Sequence, residues 1–392
     1  MISLADKQNC TGCMGCLQIC PMKCITVRED DIGNLYPYID RDSCIECGSC
    51  EKVCPEISIN RKDCFKKPDQ AYAVWSLNTN SRSASTSGGA AAEFYESALN
   101  QGYWICGVKY EEQYHVRHIL TKERKDISAF RQSKYVYSET EDIYRQIKNL
   151  LQKKEKVLFI SLPCKVAGLY SFLGGKREEN LLTVDIVCHG TPSYAQLMEH
   201  IKKVATLNQG KLTFRKNNEY IFEVTDNNKT LYSKIGRQDN YLAAFLEGLN
   251  YRPSCYNCSY ARPERISDIT IGDFWGIGVE IPWNHPYTGS ISAVLINTEK
   301  GKEFWNECSD SFFAEERSVE EAVKGNAQLN HPTTVHPKRA EFETLYKQKG
   351  FEEAVQICLQ DEIKQDRKKQ EKIQFRRKLR KIAGIVIPRY RR

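Results

Sequence analysis

Short apolar runs, set apart by turn residues and by stretches of helical period, make up most of this chain. Ile25–Glu29 and Leu35–Ile39 flank Gly33-Asn34 and predict a hairpin. Ala71–Ser76 predicts a strand. A Ser/Gly-rich stretch from Ser81 to Gly89 then leads into a helix through Phe94 and Leu99. Tyr103–Tyr110 and His115–Leu120 read as strands, and Ile143–Leu151 as a helix. Val157–Ser161 is apolar at almost every position, the pattern of a strand buried on both faces. It runs into Pro163 and a helix over Val166–Leu173. Leu181–Val187 repeats the design, with Pro192 expected to start the next helix. Alternation of this kind predicts an α/β core. Beyond residue 205 the pattern turns to hairpins at Lys211–Phe214, Tyr220–Val224 and Thr230–Lys234, followed by strands at Ile269–Ile271 and Ser292–Asn297. The class expected for the whole chain is α+β.

Cysteine spacing adds chemistry to this outline. Cys10, Cys13, Cys16 and Cys20 precede Pro21, and Cys44, Cys47, Cys50 and Cys54 precede Pro55. Each run reads C-x2-C-x2-C-x3-C-P, the spacing of two-cluster bacterial ferredoxins, in which the fourth cysteine of one run serves the other cluster. The ligand sets expected are Cys10, Cys13, Cys16 and Cys54 for one 4Fe–4S cluster, and Cys44, Cys47, Cys50 and Cys20 for the other. A disulfide framework would suit a secreted chain, but Met1–Asp6 has no apolar signal core. A zinc ribbon uses paired C-x2-C units rather than this doubled run. Cys24, just after the first run, reads as a core cysteine.

Composition narrows the setting. The chain has 392 residues and 17 cysteines, and with no apolar leader these imply a reducing cytoplasm. The net charge of +7 is concentrated in residues 361–392, where thirteen Lys/Arg stand against four Asp/Glu. Residues 1–60 hold five Lys/Arg and nine Asp/Glu. The basic balance therefore belongs to the tail and implies no nucleic-acid-binding face. In that tail Phe375, Leu379, Ile382 and Val386 form one helical stripe among basic residues, which suits peripheral contact with the inner membrane face or docking on protein.

Four more cysteines sit in loop contexts. Cys164 and Cys188 follow apolar strands at the edge where open α/β sheets collect ligands. Cys255 and Cys258 form a C-x2-C pair. Spacing alone leaves a third cluster, a zinc site and buried free thiols all open. Ser81-Arg-Ser-Ala-Ser-Thr-Ser-Gly-Gly before a helix could hold a phosphate at the helix N-terminus or simply cap it. Arg131-Gln-Ser-Lys-Tyr-Val-Tyr-Ser offers cations, hydroxyls and aromatics to a pyrophosphate or a flavin ring, or it is a polar strand edge. Asp268 and Asp273 around Ile269–Gly276 read as a site wall or as turn aspartates. His189 follows one of the loop cysteines and could tune a cluster or pass a proton.

Taken in order, Ser85-Thr-Ser-Gly-Gly, Gln132-Ser-Lys-Tyr-Val, Leu162-Pro-Cys-Lys-Val-Ala-Gly-Leu, Val184-Asp-Ile-Val-Cys-His-Gly-Thr-Pro-Ser, and Cys255-x2-Cys258 running to Gly272-Asp-Phe-Trp-Gly resemble the coenzyme F420 hydrogenase/dehydrogenase beta-subunit family. The resemblance spans roughly residues 70–345, behind a ferredoxin module. It implies an FAD-dependent iron–sulfur oxidoreductase, and iron rather than zinc at Cys164, Cys188, Cys255 and Cys258. The flavin residues expected are Ser85, Ser87, Gly88, Gly89, Ser133, Lys134, Tyr135 and His189. The division expected is a two-cluster domain at 1–62, a linker at 63–70, an α/β flavin-binding core in two parts at 71–180 and 181–348, and a basic helical tail at 349–392. One departure stands beside Cys164, where Leu162-Pro-Cys-Lys replaces the family's usual Thr-Pro-Cys-Gln. The function implied is electron transfer from a ferredoxin-type donor or reduced deazaflavin, through 4Fe–4S clusters, to FAD and a small organic acceptor. The other reading is an electron-transfer subunit without its own substrate.

Overall fold

The computed structural model describes residues 2–57, 64–205, 210–216, 218–286 and 289–382, and for residues 374 and 376–382 the backbone alone. The predicted hairpin forms as β1 (Ile25–Glu29) and β2 (Leu35–Ile39), paired antiparallel. Two short helices, Gly15–Ile19 and Ser49–Lys52, complete the N-terminal module.

The strands that follow are β3 (Gln70–Ser76), β4 (Trp104–Tyr110), β5 (Val116–Thr121), β6 (Val157–Ser161), β7 (Leu181–Ile186), β8 (Lys211–Lys216), β9 (Glu219–Asp226), β10 (Lys229–Ile235), β11 (Ile269–Asp273), β12 (Ser292–Ile296) and β13 (Phe312–Arg317). Eight of them form one sheet, in the order β13-β3-β12-β11-β7-β6-β4-β5. Its centre, β11-β7-β6-β4, is parallel, and its flanks are antiparallel. Because β6 pairs with β7, the division at 180/181 runs through this sheet. β8, β9 and β10 form a separate antiparallel sheet, packed with helices Asn240–Leu246 and Phe351–Cys358.

The apolar run of β6 explains its place. Leu158 and Ile160 pack on one face, with helices Ala90–Asn100 and Glu299–Cys308. Val157 and Phe159 pack on the other, with helices Ile143–Gln152 and Pro163–Phe172 and with the N-terminal module. Burial of both faces removes the polar alternation of an exposed sheet.

Three local expectations differ from the structure. The Ser/Gly-rich stretch begins with a helix, Thr79–Ala84, because Asn78 caps it by accepting from the N–H groups of Asn80 and Ser81. The helix expected at Pro192 runs Tyr194–Val204 behind Ser193, while Pro192 bridges to Tyr251. The linker is paired chain where it is described, since Lys66 bridges Arg265. β13 and the helices Glu299–Cys308, Val319–Gly325 and Arg339–Lys349 carried no signal strong enough to name. A helix occupies Gln360–Ile382, with Phe375 exposed, while the rest of the basic stripe lies outside the described side chains. Among the described residues no helix is long and apolar enough to cross a membrane.

Candidate redox centres and the adjoining cleft

The helix Gly15–Ile19 carries Cys16 and delivers Cys20 beyond its end. Ser49–Lys52 carries Cys50 and leads toward Cys54. Because the two short helices pack together, each delivers its trailing cysteine to the other run. One hollow of about 350 Å³ is lined by Cys10, Cys13, Cys16 and Cys54. A second, of about 330 Å³, is lined by Cys20, Cys44, Cys47 and Cys50, together with Cys24. The Sγ of Cys24 lies 3.4 Å from that of Cys20. Burial, and then the neighbouring thiols, push Cys16 and Cys54 upward, Cys54 to about 12. Thiols crowded in this way resist ionisation until a metal centre takes up their charge, which is the donor set an iron–sulfur cube requires.

The loop cysteines also converge. Cys164 lies in the first turn of helix Pro163–Phe172, Cys188 follows β7, and the turn Pro253–Asn257 holds Cys255 and leads to Cys258. Burial raises the Cys164 thiol well above its ordinary range, and the charges of Cys258, Cys188 and Cys255 add to the effect. Cys258 is pushed up to about 11 by burial and by Cys255. Arg265 fixes this loop. It donates to the Tyr260 carbonyl at 2.9 Å and pairs with buried Asp185 at 2.7 Å. Gly190 lets the Cys188 loop pass Tyr251, because a Cβ there would lie 2.3 Å from the tyrosine ring. Among the described residues, no group of three His, Cys, Asp or Glu is placed to hold a single metal ion.

Cys188 also lines a cleft at the C-terminal edge of β6, β7 and β11, which encloses about 1550 Å³ including its solvent mouth. Ser85, Ser87, Gly89, Ser133, Lys134, Tyr135 and His189 all line it. Gly88 does not; it packs against the Val74 carbonyl and Ser292. At one wall the helix Ala90–Asn100 begins behind Gly89 with no side-chain cap, and Ala90–Ala92 face the cleft. Ser87 donates to the Ile291 carbonyl at 3.1 Å, and Ser85 to the Ser81 carbonyl at 2.8 Å. Lys134 donates to the Arg131 carbonyl at 3.0 Å, and burial lowers its pKa to about 7. Burial also lowers His189, against the pull of Asp273.

Neighbouring residues had no motif to mark them: Arg215 and Tyr220 line the cleft, and His118 stands behind the lining Ser161. His118 donates from Nδ1 to the Glu139 carbonyl at 2.8 Å, which leaves Nε2 to accept from the Ser161 hydroxyl at 2.7 Å. Burial holds this imidazole neutral, with a pKa of about 3. Arg215 pairs with Asp273 at 3.1 Å and lies over the Tyr220 ring at 4.5 Å. Asp273 is thus a wall of the cleft. Asp268 belongs to the scaffold, where it accepts from the Thr183 N–H at 2.9 Å and from Arg177 at 3.0 Å.

Residues 154–322 match the family described as the C terminus of the coenzyme F420 hydrogenase/dehydrogenase beta subunit. Residues 9–57 match the 4Fe-4S dicluster domain. These two matches support the resemblance to the coenzyme F420 hydrogenase/dehydrogenase beta-subunit family behind a 4Fe-4S dicluster domain. No curated protein matches it. Among solved structures it is similar to a chain of the F420-reducing NiFe hydrogenase complex from Methanosarcina barkeri, at 19% identity over 76% of this chain and 93% of that one, with a TM-score of 0.47. The two family matches support an iron–sulfur protein of electron-transfer type.

Proposed function

We propose that this chain passes electrons between a redox protein and an organic acceptor, using three 4Fe–4S clusters and FAD. The observation that carries the reading is that Cys188 belongs both to the third cysteine set and to the wall of the large cleft. Metal site and organic-cofactor site therefore share a residue. Cys10, Cys13, Cys16 and Cys54 would hold one cluster, Cys20, Cys44, Cys47 and Cys50 the next, and Cys164, Cys188, Cys255 and Cys258 the third. The clusters would supply one-electron chemistry, and the flavin the conversion between single electrons and a pair.

The cleft residues suit that cofactor. The uncapped N–H groups at Ala90–Ala92, with Arg131 and Lys134, offer positive potential to a pyrophosphate. His118 fixes the Ser161 hydroxyl as a donor to itself, leaving the oxygen lone pairs for the ligand. Arg215, Asp273, Tyr220 and the half-exposed Trp275 form a mixed polar and aromatic wall for ring or acceptor. In the N-terminal module the exposed Cys47 stands among exposed Ile45 and Met22, a surface suited to a protein partner. That surface equally favours the second reading, a subunit that delivers electrons with no acceptor of its own.

Anaerobic purification with iron, sulfide and flavin quantitation tests the proposal. About twelve irons, from three cubes of four, and one FAD per chain are expected. Full iron with no flavin bound at micromolar concentration would remove the flavin reading. Turnover of an organic acceptor by the isolated chain separates the first reading from the second.

A further inference from the structure

Two buried cations join the Cys10 hollow to the third cysteine set. Lys165 follows Cys164 directly, is 1% exposed, and donates from Nζ to the Gly12 carbonyl at 2.5 Å. Its Nζ also lies 4.3 Å from the centre of the Tyr137 ring, whose hydroxyl donates to the same carbonyl at 2.7 Å. Arg252 stands three residues before Cys255 and is 2% exposed. It donates from Nε to the Cys10 carbonyl at 2.6 Å, from Nη1 to the Leu35 carbonyl at 2.9 Å, and from Nη2 to the Cys10 Sγ at 3.6 Å. Each cation is thus anchored beside one cysteine set and bonded into the other. Gly168, one turn along from Lys165, makes room for the contact, because a Cβ there would lie 2.7 Å from that of Cys13.

We propose that Lys165 and Arg252 are positioning residues that hold the Cys10–Cys13–Cys16–Cys54 site against the Cys164–Cys188–Cys255–Cys258 site and raise the reduction potential of the former relative to its twin at Cys20–Cys44–Cys47–Cys50. The inference rests on the cluster assignment above. A cube gains one negative charge on reduction, so a nearby cation favours the reduced form. Burial works the other way, since a dry surrounding penalises added charge. Glu56, also at the Cys10 hollow, adds one acid. Two cations against one acid, with a donor bonded directly to a ligand sulfur, outweigh it; hydrogen bonds to cluster sulfurs are an established lever on potential. The twin hollow has weaker help. Its Cys47 Sγ contacts the Ser49 hydroxyl at 3.4 Å, and the cation that acts on Cys47, Lys52, is a surface residue. The cysteine spacing is the same in both runs, so the difference comes from the core on which the module sits.

The test is an EPR-monitored redox titration of the full-length, anaerobically purified protein and of its K165M, K165R, R252Q and R252K variants. The signal of the Cys10 site is identified as the one missing in C54S. In K165M and R252Q its midpoint should move to more negative potential, while the other ferredoxin-type signal stays in place. K165R and R252K, which keep the charge, should fall between their neutral counterparts and the parent. Unmoved midpoints at full iron content would overturn the proposal. So would equal shifts at both sites, or a K165R shift as large as that of K165M. Loss of the same iron from all four variants would show that these residues serve assembly and not potential. A parent protein without iron would instead remove the cluster assignment itself.

Discussion

The two hollows of the N-terminal module share one cysteine spacing and nearly one volume, about 350 and 330 Å³, yet their neighbours differ in kind. The loop that lines the Cys10 hollow is bonded through its carbonyls by core residues 125 and more positions away, among them Tyr137, Thr140, Lys165 and Arg252. The Cys20 hollow is closed by the module itself and rimmed by Ile2, Met22 and Ile45. Spacing within a run specifies which thiols can share a cube. The surroundings decide what each cube can be used for, one with its loop bonded into the core and one with an exposed apolar rim.

The largest effect should come from breaking the exchange of fourth ligands. C54S should lose the cluster of Cys10, Cys13 and Cys16, about four irons, and leave the other in place. The reverse substitution need not mirror it. Cys24 lines the second hollow 3.4 Å from Cys20, and among the described residues no fifth cysteine lines the first. C20A should therefore keep its irons, whereas C20A with C24A should lose four. Iron and sulfide analysis with EPR reads the outcome, and loss of the Cys44 cluster in C54S would show that the ligands do not cross.

Much of this architecture was legible before any coordinates. Period-two and buried apolar runs marked most strands, because β6 and β7 can be nothing but central when apolar on both faces. The doubled cysteine run marked two sites, since so regular a spacing has few other uses. Fixed-order motifs led to the third set and to most of the cleft. What stayed hidden depends on distance along the chain. Arg252 carries no local pattern, and its target Cys10 is 242 positions away. His118 gave no sign of reaching Ser161, nor Arg215 of reaching Asp273. Lys165 was visible only as an oddity beside Cys164, and its meaning required knowing that Gly12 lay above it. Cys24 was read as a core cysteine, and it is buried, but its place beside Cys20 belongs to the turn after helix Gly15–Ile19.

A second test asks whether the two hollows fail together when the scaffold fails. His200 is buried on helix Tyr194–Val204, bonded to Asp239 at 2.8 Å and to Glu352 on helix Phe351–Cys358. Burial opposes its charge, but the two carboxylates prevail and raise its pKa to about 9. A folded-state pKa above the unfolded value of about 6.5 gives stability that is full below pH 6.5 and is lost as pH rises through about 9. The span corresponds to about 3 kcal/mol at most. The thermal unfolding midpoint should thus fall between pH 7 and 9.5, and H200Q should be less stable at pH 7 and show a flatter profile. Both ferredoxin-type signals should survive at pH 7 in H200Q. Selective loss of one would mean that this knot supports a single hollow.

The smallest effect should appear at the exposed rim, where it separates partner binding from stability. Ile45 is 61% exposed and Met22 49%, large apolar side chains set at the edge of a four-cysteine site. Exposed positions without buried partners change stability by about ±0.5 kcal/mol, so I45K should keep its irons and its unfolding midpoint. If a reduced ferredoxin docks over this rim, a lysine at its centre removes apolar contact worth about 1 kcal/mol, and KM for that donor should rise about fivefold. Dithionite-reduced methyl viologen, which needs no docking surface, should deliver electrons to I45K and to the parent at the same rate. Leu77, 58% exposed at the end of β3 in the core, supplies the control. L77K should leave both donors unaffected. Equal loss in L77K and I45K would mean that added charge and not the rim is felt. Unchanged KM in I45K would move the docking site elsewhere and leave the apolar rim of the Cys20 hollow without a role in electron delivery.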